Sequence, residues 1–184
     1  MKKFFCCILL AIFLFTTGCC ANKKREIKSE EQLVQAIENF QYDKTDLNLY
    51  AITNYINQAE YLGYKGSHAI LFGFYMGILH EHPILFDKLF HYYGEIHLLR
   101  MLQLIEKSYD NFEYALSGTQ NFYPEGKDFI TQLWGYFYAT GDERVLKLLC
   151  KIKKYDYSPE IRDYVRITLT QNQPKFPEII MKCE

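Results

Sequence analysis

The run AILFGFYMGIL, Ala69 to Leu79, contains only apolar, aromatic and glycine residues. A helix with no polar face has nothing to offer solvent, so it must be enclosed by other elements. Eleven residues are too few to cross a bilayer, which takes about 20. Gly73 and Gly77 are four apart, which lets a second helix approach closely. In an apolar stretch of about 20 residues this spacing marks membrane dimers; in so short a run it marks core packing. The expectation is one central buried helix with the rest of the chain arranged around it.

The sequence contains an echo of this segment. LFGFYMGILHEHP from Leu71 aligns with LWGYFYATGDERV from Leu133 at an offset of 62 residues. Gly73 meets Gly135, Phe72 meets Trp134, Phe74 meets Tyr136, and Tyr75 meets Phe137. Each copy reads as a buried aromatic helix, a tight turn and an amphipathic helix, so residues 67–90 echo in 129–152. One hairpin cannot bury a helix that is greasy all round, whereas stacked neighbours can.

Other helices follow from period and punctuation. Ser29 and Gln32 have capping-box spacing ahead of Leu33, Val34, Ile37 and Phe40. Asp46 reads as the cap of a second helix to about Leu62, with Leu47, Tyr50, Ala51, Tyr55, Ala59 and Leu62 as its stripe. Pro83 suits the first turn of a fourth helix carrying Ile84, Leu85, Leu89 and Phe90. A fifth is expected from Glu95 to Tyr109. Pro124 opens a sixth, Asp142 starts a seventh, and Ser158 with Pro159 starts an eighth. After Pro174 the pattern breaks up. No stretch alternates convincingly with period two. The expected fold is all-α: antiparallel hairpins stacked as a short α-solenoid-like array of seven or eight helices, in one domain over 29–184. The turn FYATGDE, Phe137 to Glu143, resembles an FFATGDE-like turn in uncharacterised bacterial helical proteins. That resemblance implies the same solenoid-like fold and no activity.

The N-terminus reads as an export address. Lys2 and Lys3 precede the apolar run Phe4–Phe15, and Thr16, Thr17 and Gly18 lead into Cys19. Positive, greasy, small is the order of a signal peptide, here 1–18. TTGC resembles the lipobox of bacterial lipoproteins, departing from it at Thr16, where that family usually carries Leu. The resemblance implies a diacylglyceryl group on Cys19, cleavage after Gly18 and acylation, palmitate among the acyl groups, of the new amine. Cys20 would put a bulkier cysteine at the cleavage side, and it reads as part of a tether over 19–28. Lys23, Lys24, Arg25 and Lys28 are a solvated basic stretch in or beside that tether, or a contact to anionic headgroups or cell wall. Cys20 is not Asp, so the common inner-membrane retention signal is missing. The expected location is the cell envelope, with the periplasmic face of the outer membrane preferred.

Chemistry is sparse. A formal net charge of −1 does not suit a general nucleic-acid binder. His80 and His82 flank Glu81, but residues two apart on a helix diverge and cannot share one zinc as HExxH does. They could still meet His91 at a helix end, or simply serve as donors there. His68 and His97 lie elsewhere. Glu60, Glu95, Glu106, Glu113, Glu125 and Asp128 are scattered. No nucleophile elbow, phosphate loop or dinucleotide fingerprint occurs. No cofactor or metal is implied, and no catalytic residue can be named. Cys150 and Cys183 are either a disulfide that pins the C-terminus or, for Cys150, a small core residue spaced from Leu146. Asn111 to Gly126 is the least regular part: its first residues either extend the fifth helix or belong to an aromatic break from Tyr109 to Tyr123, with loop expected over Ser117 to Tyr123. Tyr109, Tyr114, Phe122 and Tyr123 are therefore the candidate binding surface, with Phe112 and Phe122 alternatively plugging the core. The functional expectation is a lipid-anchored interaction or scaffold module for another envelope protein, including the case of blocking a toxin. The alternatives are a periplasmic binding protein for an apolar or aromatic ligand and a peptidoglycan-active hydrolase.

Changing Cys19→Ser is expected to abolish fatty-acid labelling and leave uncleaved precursor, while Cys20→Ser changes neither. Metabolic labelling with a fatty-acid analogue checks this; equal labelling of the Cys19→Ser chain overturns the assignment.

Overall fold

The computed structural model describes residues 26–58, 68–92, 96–117, 126–154, 158–177, 179 and 183. The expected signal peptide, Cys19 and most of the expected tether lie outside the described residues. The elements are α1 (Glu30–Glu38), a 3-10 turn (Phe40–Tyr42), α2 (Asp46–Gln58), α3 (His68–Glu81), α4 (Pro83–Tyr92), α5 (Ile96–Ser117), α6 (Lys127–Thr140), α7 (Glu143–Lys154) and α8 (Pro159–Asn172). No strand occurs among the described residues. The fold is an all-α helical array, and one hydrophobic core draws side chains from all eight helices.

The two echoing helices, α3 and α6, make the most extensive helix contact. They run parallel, because Gly73 lies against Gln132 while Gly77, one turn later, lies against Ala139. Their backbones touch. A Cβ on Gly73 would sit 1.9 Å from the carbonyl oxygen of Gln132, and one on Gly135 would sit 2.0 Å from that of Ile70. These two contacts exchange with each other under the 62-residue offset. Gly77 and Ala139 are likewise equivalent positions, and they face each other. Equivalent faces therefore meet, as in a small-xxx-small pair of helices. Leu71, Phe74, Tyr75, Leu133, Tyr136 and Phe137 are all buried around this contact.

Most helix boundaries have local causes. Ser29 Oγ accepts from the Gln32 amide at 3.3 Å, and the Gln32 side chain accepts from the Lys28 amide at 2.9 Å. Thr45, not Asp46, caps α2: its Oγ1 accepts from the Asn48 amide at 3.3 Å, and Asp46 sits in the first turn. Gly141 closes α6 in the left-handed region at φ 73°. Asp142 then caps α7, its Oδ1 accepting from the Arg144 amide at 2.9 Å. Ser158 and Pro159 start α8 as the sequence suggests. Pro124 lies outside the described residues, and α6 begins at Lys127 because Gly126, at φ 95°, is not helical.

Two expectations need correction. The fifth helix does not stop at Tyr109; the alternative of an extension applies, and α5 runs on to Ser117. Leu98, Leu102, Ile105, Phe112 and Leu116 are buried at helical spacing, so the apolar period continues through the stretch read as irregular. The α2 stripe is rotated: Leu49, Ile52 and Ile56 are buried, whereas Leu47 is exposed. At the C-terminal end, Phe176, Ile179 and Cys183 pack onto the core. Phe176 is buried against Phe137 and Tyr138, with ring centroids 5.1 and 5.9 Å apart. Cys183 is bonded to Cys150 of α7, with Cα atoms 5.0 Å apart.

Gly73→Ala and Gly135→Ala are each expected to cost about 1–3 kcal/mol, because a methyl would meet backbone that cannot turn aside. The double variant should cost less than the sum, since parting the helices relieves both clashes. Urea melts of the four chains measure this; parent-like stability of both single variants would mean the helices do not close on these glycines.

Candidate functional site

Parallel packing brings the C-terminal ends of α3 and α6 to the same end of the molecule. Both helices present unpaired carbonyls and a negative pole there. Cations answer them. Lys44 Nζ donates to the Thr140 carbonyl at 2.8 Å and pairs with Glu81 at 2.5 Å.

Beside that cap, α5 delivers Tyr109 and Glu113, one helical turn apart, to His80, Tyr136, Asp142 and Arg144. Glu113 is the hub. Its Oε1 accepts from the Tyr136 hydroxyl at 2.7 Å and lies 3.4 Å from His80 Nδ1. Arg144 Nη1 donates to Glu113 Oε2 at 3.0 Å. The same guanidinium reaches back to Asp142, with Nε at 2.8 Å and Nη2 at 2.6 Å from Oδ2. His80 Nδ1 also hydrogen-bonds the Tyr109 hydroxyl. The cluster is half-open: the Tyr136 ring is fully buried, while His80 and Arg144 are partly exposed.

Burial and neighbouring charges shift Tyr109, Tyr136, Asp142 and Arg144. Burial, reinforced by the Glu113 charge, pushes the Tyr109 phenol up to about 12. Burial, and then its bond to Glu113, raises the Tyr136 phenol as well. Both are thus neutral near pH 7, with Tyr136 donating to Glu113, and unsuited to act as phenolate nucleophiles. Burial alone would raise the Asp142 carboxyl, but the Arg144 hydrogen bonds and charge outweigh it and hold it below its ordinary value. The bonds to Asp142 and Glu113 keep the Arg144 guanidinium charged. This arrangement clamps α5 to α3 and to the α6–α7 turn.

The sequence-derived site residues are dispersed by comparison. Tyr109 belongs to the clamp. Tyr114 is exposed on α5, five residues further along. Phe122 and Tyr123 lie outside the described residues, as do Glu60, Glu95 and Glu125 and the side chains of His68, His91 and His97. Phe112 is buried against Phe129 and Tyr136. His80 and His82 flank a helix end, and among the described residues no group of three or more His, Cys, Asp or Glu side chains could hold a metal ion. The sequence reading missed the joining of His80, Glu113 and Arg144. The i, i+4 pair of Tyr109 and Glu113 was the available signal, but only on a helix extended past Tyr109. No protein-family model matches the chain, and no curated protein or solved structure matches it either.

Arg144→Ala is expected to cost about 1–2 kcal/mol, leaving two carboxylates without their shared cation in a half-exposed site. The lowered Asp142 pKa contributes stability above its unfolded value, which is lost as pH falls through the lower folded value. Stability should therefore fall from about pH 5 towards pH 3, and Asp142→Asn should flatten part of that slope. Thermal melts across this range check it; an unchanged slope in Asp142→Asn removes Asp142 from the account.

Proposed function

We propose that this chain is a lipid-anchored protein of the bacterial cell envelope whose helical domain is a protein-interaction module. The observation that carries the interaction reading is the outer face of α5. Leu104 and Tyr114 are each more than half exposed there, on a helix whose other face is committed to the core and to the Glu113 clamp. Arg100, Leu104, Lys107, Asn111 and Tyr114 recur at helical spacing on that exposed side. Exposed Leu and Tyr among polar neighbours are the composition of an interface anchor with its rim.

The anchoring half of the reading rests on the lipobox-like TTGC at Cys19. No helix among the described residues is long and apolar enough to cross a membrane. Attachment through Cys19 would leave the array free to present α5 to a neighbouring envelope protein.

The test is photo-crosslinking of the full chain in its own membranes, with the reactive side chain at position 104 or 114. A discrete adduct is expected. It should be lost in a chain carrying Tyr114→Lys with the crosslinker at 104, with thermal stability unchanged. An adduct indifferent to that charge overturns the α5 face as the binding surface.

A further inference from the structure

The outer face of α5 has a spacing that names the kind of element it fits. Arg100, Leu104, Lys107, Asn111 and Tyr114 follow one another four, three, four and three residues apart, and all five are exposed. That alternation is the heptad seam of a helix that lies along another helix. Leu104 and Tyr114 stand open on it, so no helix among the described residues covers the seam.

The seam is also complementary to itself. Two copies of α5 laid antiparallel, with a two-fold axis at the level of Tyr109, bring Leu104 opposite Tyr114 of the second copy and Lys107 opposite its Asn111. Both pairs are centred on position 109, so one register satisfies them together, and the axis makes each contact occur twice. Leucine against tyrosine supplies the apolar contact. The Lys107 ammonium donates to the Asn111 carboxamide oxygen, so the polar residues of the seam answer each other.

The charges beside the seam fit the same register. Asp110 is exposed and lies one position before Asn111, on the flank to which Lys107 leans. In the antiparallel pair it falls within one residue's rise, about 1.5 Å along the axis, of Lys107 of the second copy. Two lysines and two aspartates then gather at the axis as a neutral group. Neither Lys107 nor Asp110 makes an ion pair among the described residues of its own chain. A parallel pair would instead set Lys107 on Lys107, and a foreign partner would have to supply a pattern that this chain already carries.

We propose that α5 pairs antiparallel with α5 of a second copy, so that the partner of this face is the same protein. The proposal rests on the reading of α5 as the interaction surface of a membrane-held chain. From Leu104 to Tyr114 the seam is only about 15 Å long. Stable interfaces bury about 1,200–2,000 Å², so a seam this short relies on the effective concentration that a shared membrane provides.

The experiment places a photo-crosslinking side chain at position 104 of the full chain in its own membranes. The expected adduct has twice the mass of the chain and joins position 104 to the peptide around Tyr114. Lys107→Glu alone gathers four acids at the axis, and Asp110→Lys alone gathers four cations. Each should lower the adduct at least about fivefold. Co-expressing the two variants under different tags should restore it as a mixed dimer, because their charges again cancel. An adduct joining 104 to 104, or a mixed pair no better than either variant alone, overturns the proposal. An adduct to a different protein that is still lost in Tyr114→Lys keeps α5 as the binding surface and overturns the self-pairing. No adduct from position 104 or 114 overturns both readings.

Discussion

The contact between Gly73 and Gln132, with its counterpart between Gly135 and Ile70, sets the spacing of the whole array. Two helices that touch backbone to backbone leave no room for side chains between them, so their aromatic residues must project to the flanks. Phe74 packs edge-on to Phe40 on one flank, with centroids 5.1 Å apart, and Tyr136 lies at the same distance from Phe112 on the other. Those positions are equivalent under the internal offset. The outer helices are in this sense fitted to side chains that the central pair displaces, and the dense core follows from the absence of two Cβ atoms.

The same contact creates an electrostatic demand. Antiparallel neighbours offset each other's dipoles, whereas the parallel α3 and α6 put two negative ends together. Lys44 crosses from ahead of α2 to donate to the last carbonyl of α6, and Arg144 folds back from α7 over Asp142 and Glu113. The polar clamp is thus a structural consequence of helix direction. Its half-open His80 and Arg144 are what remains accessible after that task. The cluster accordingly joins two neutral phenols and two acidic side chains around one shared guanidinium.

The fold class was legible because the apolar period of α3 and its echo in α6 are strong and unbroken. Caps at Ser29, Asp142 and Ser158 were legible for the same local reason: a short polar side chain directly precedes a helix. Errors arose where the signal was shared. Leu47 and Leu49 both suit the inner face of α2, and only packing against α1 decides that Leu49 goes in. The α5 extension stayed one of two alternatives because Asp110, Asn111 and Glu113 interrupt the apolar pattern, although all three fall outside the buried face that Phe112 and Leu116 continue. The site was the least legible part. His80, Glu113 and Arg144 come from three helices, and their meeting depends on the parallel packing, which no local spacing encodes.

The parallel arrangement also governs when the core can form. An antiparallel hairpin closes as soon as its second helix is made, but α3 must wait for α5 and the following segment before α6 exists. About 60 residues separate Leu79 from Ala139. At ribosomal rates of about 5–20 residues per second, that is roughly 3–12 s in which the glycine face of α3 lacks the helix it packs against. The chain is committed to a long-range contact as its central event, which slows folding relative to a bundle of local hairpins. If the chain is exported unfolded, as the proposed envelope role requires, such delay is an advantage: the contact that completes the core cannot form until the second half has been delivered.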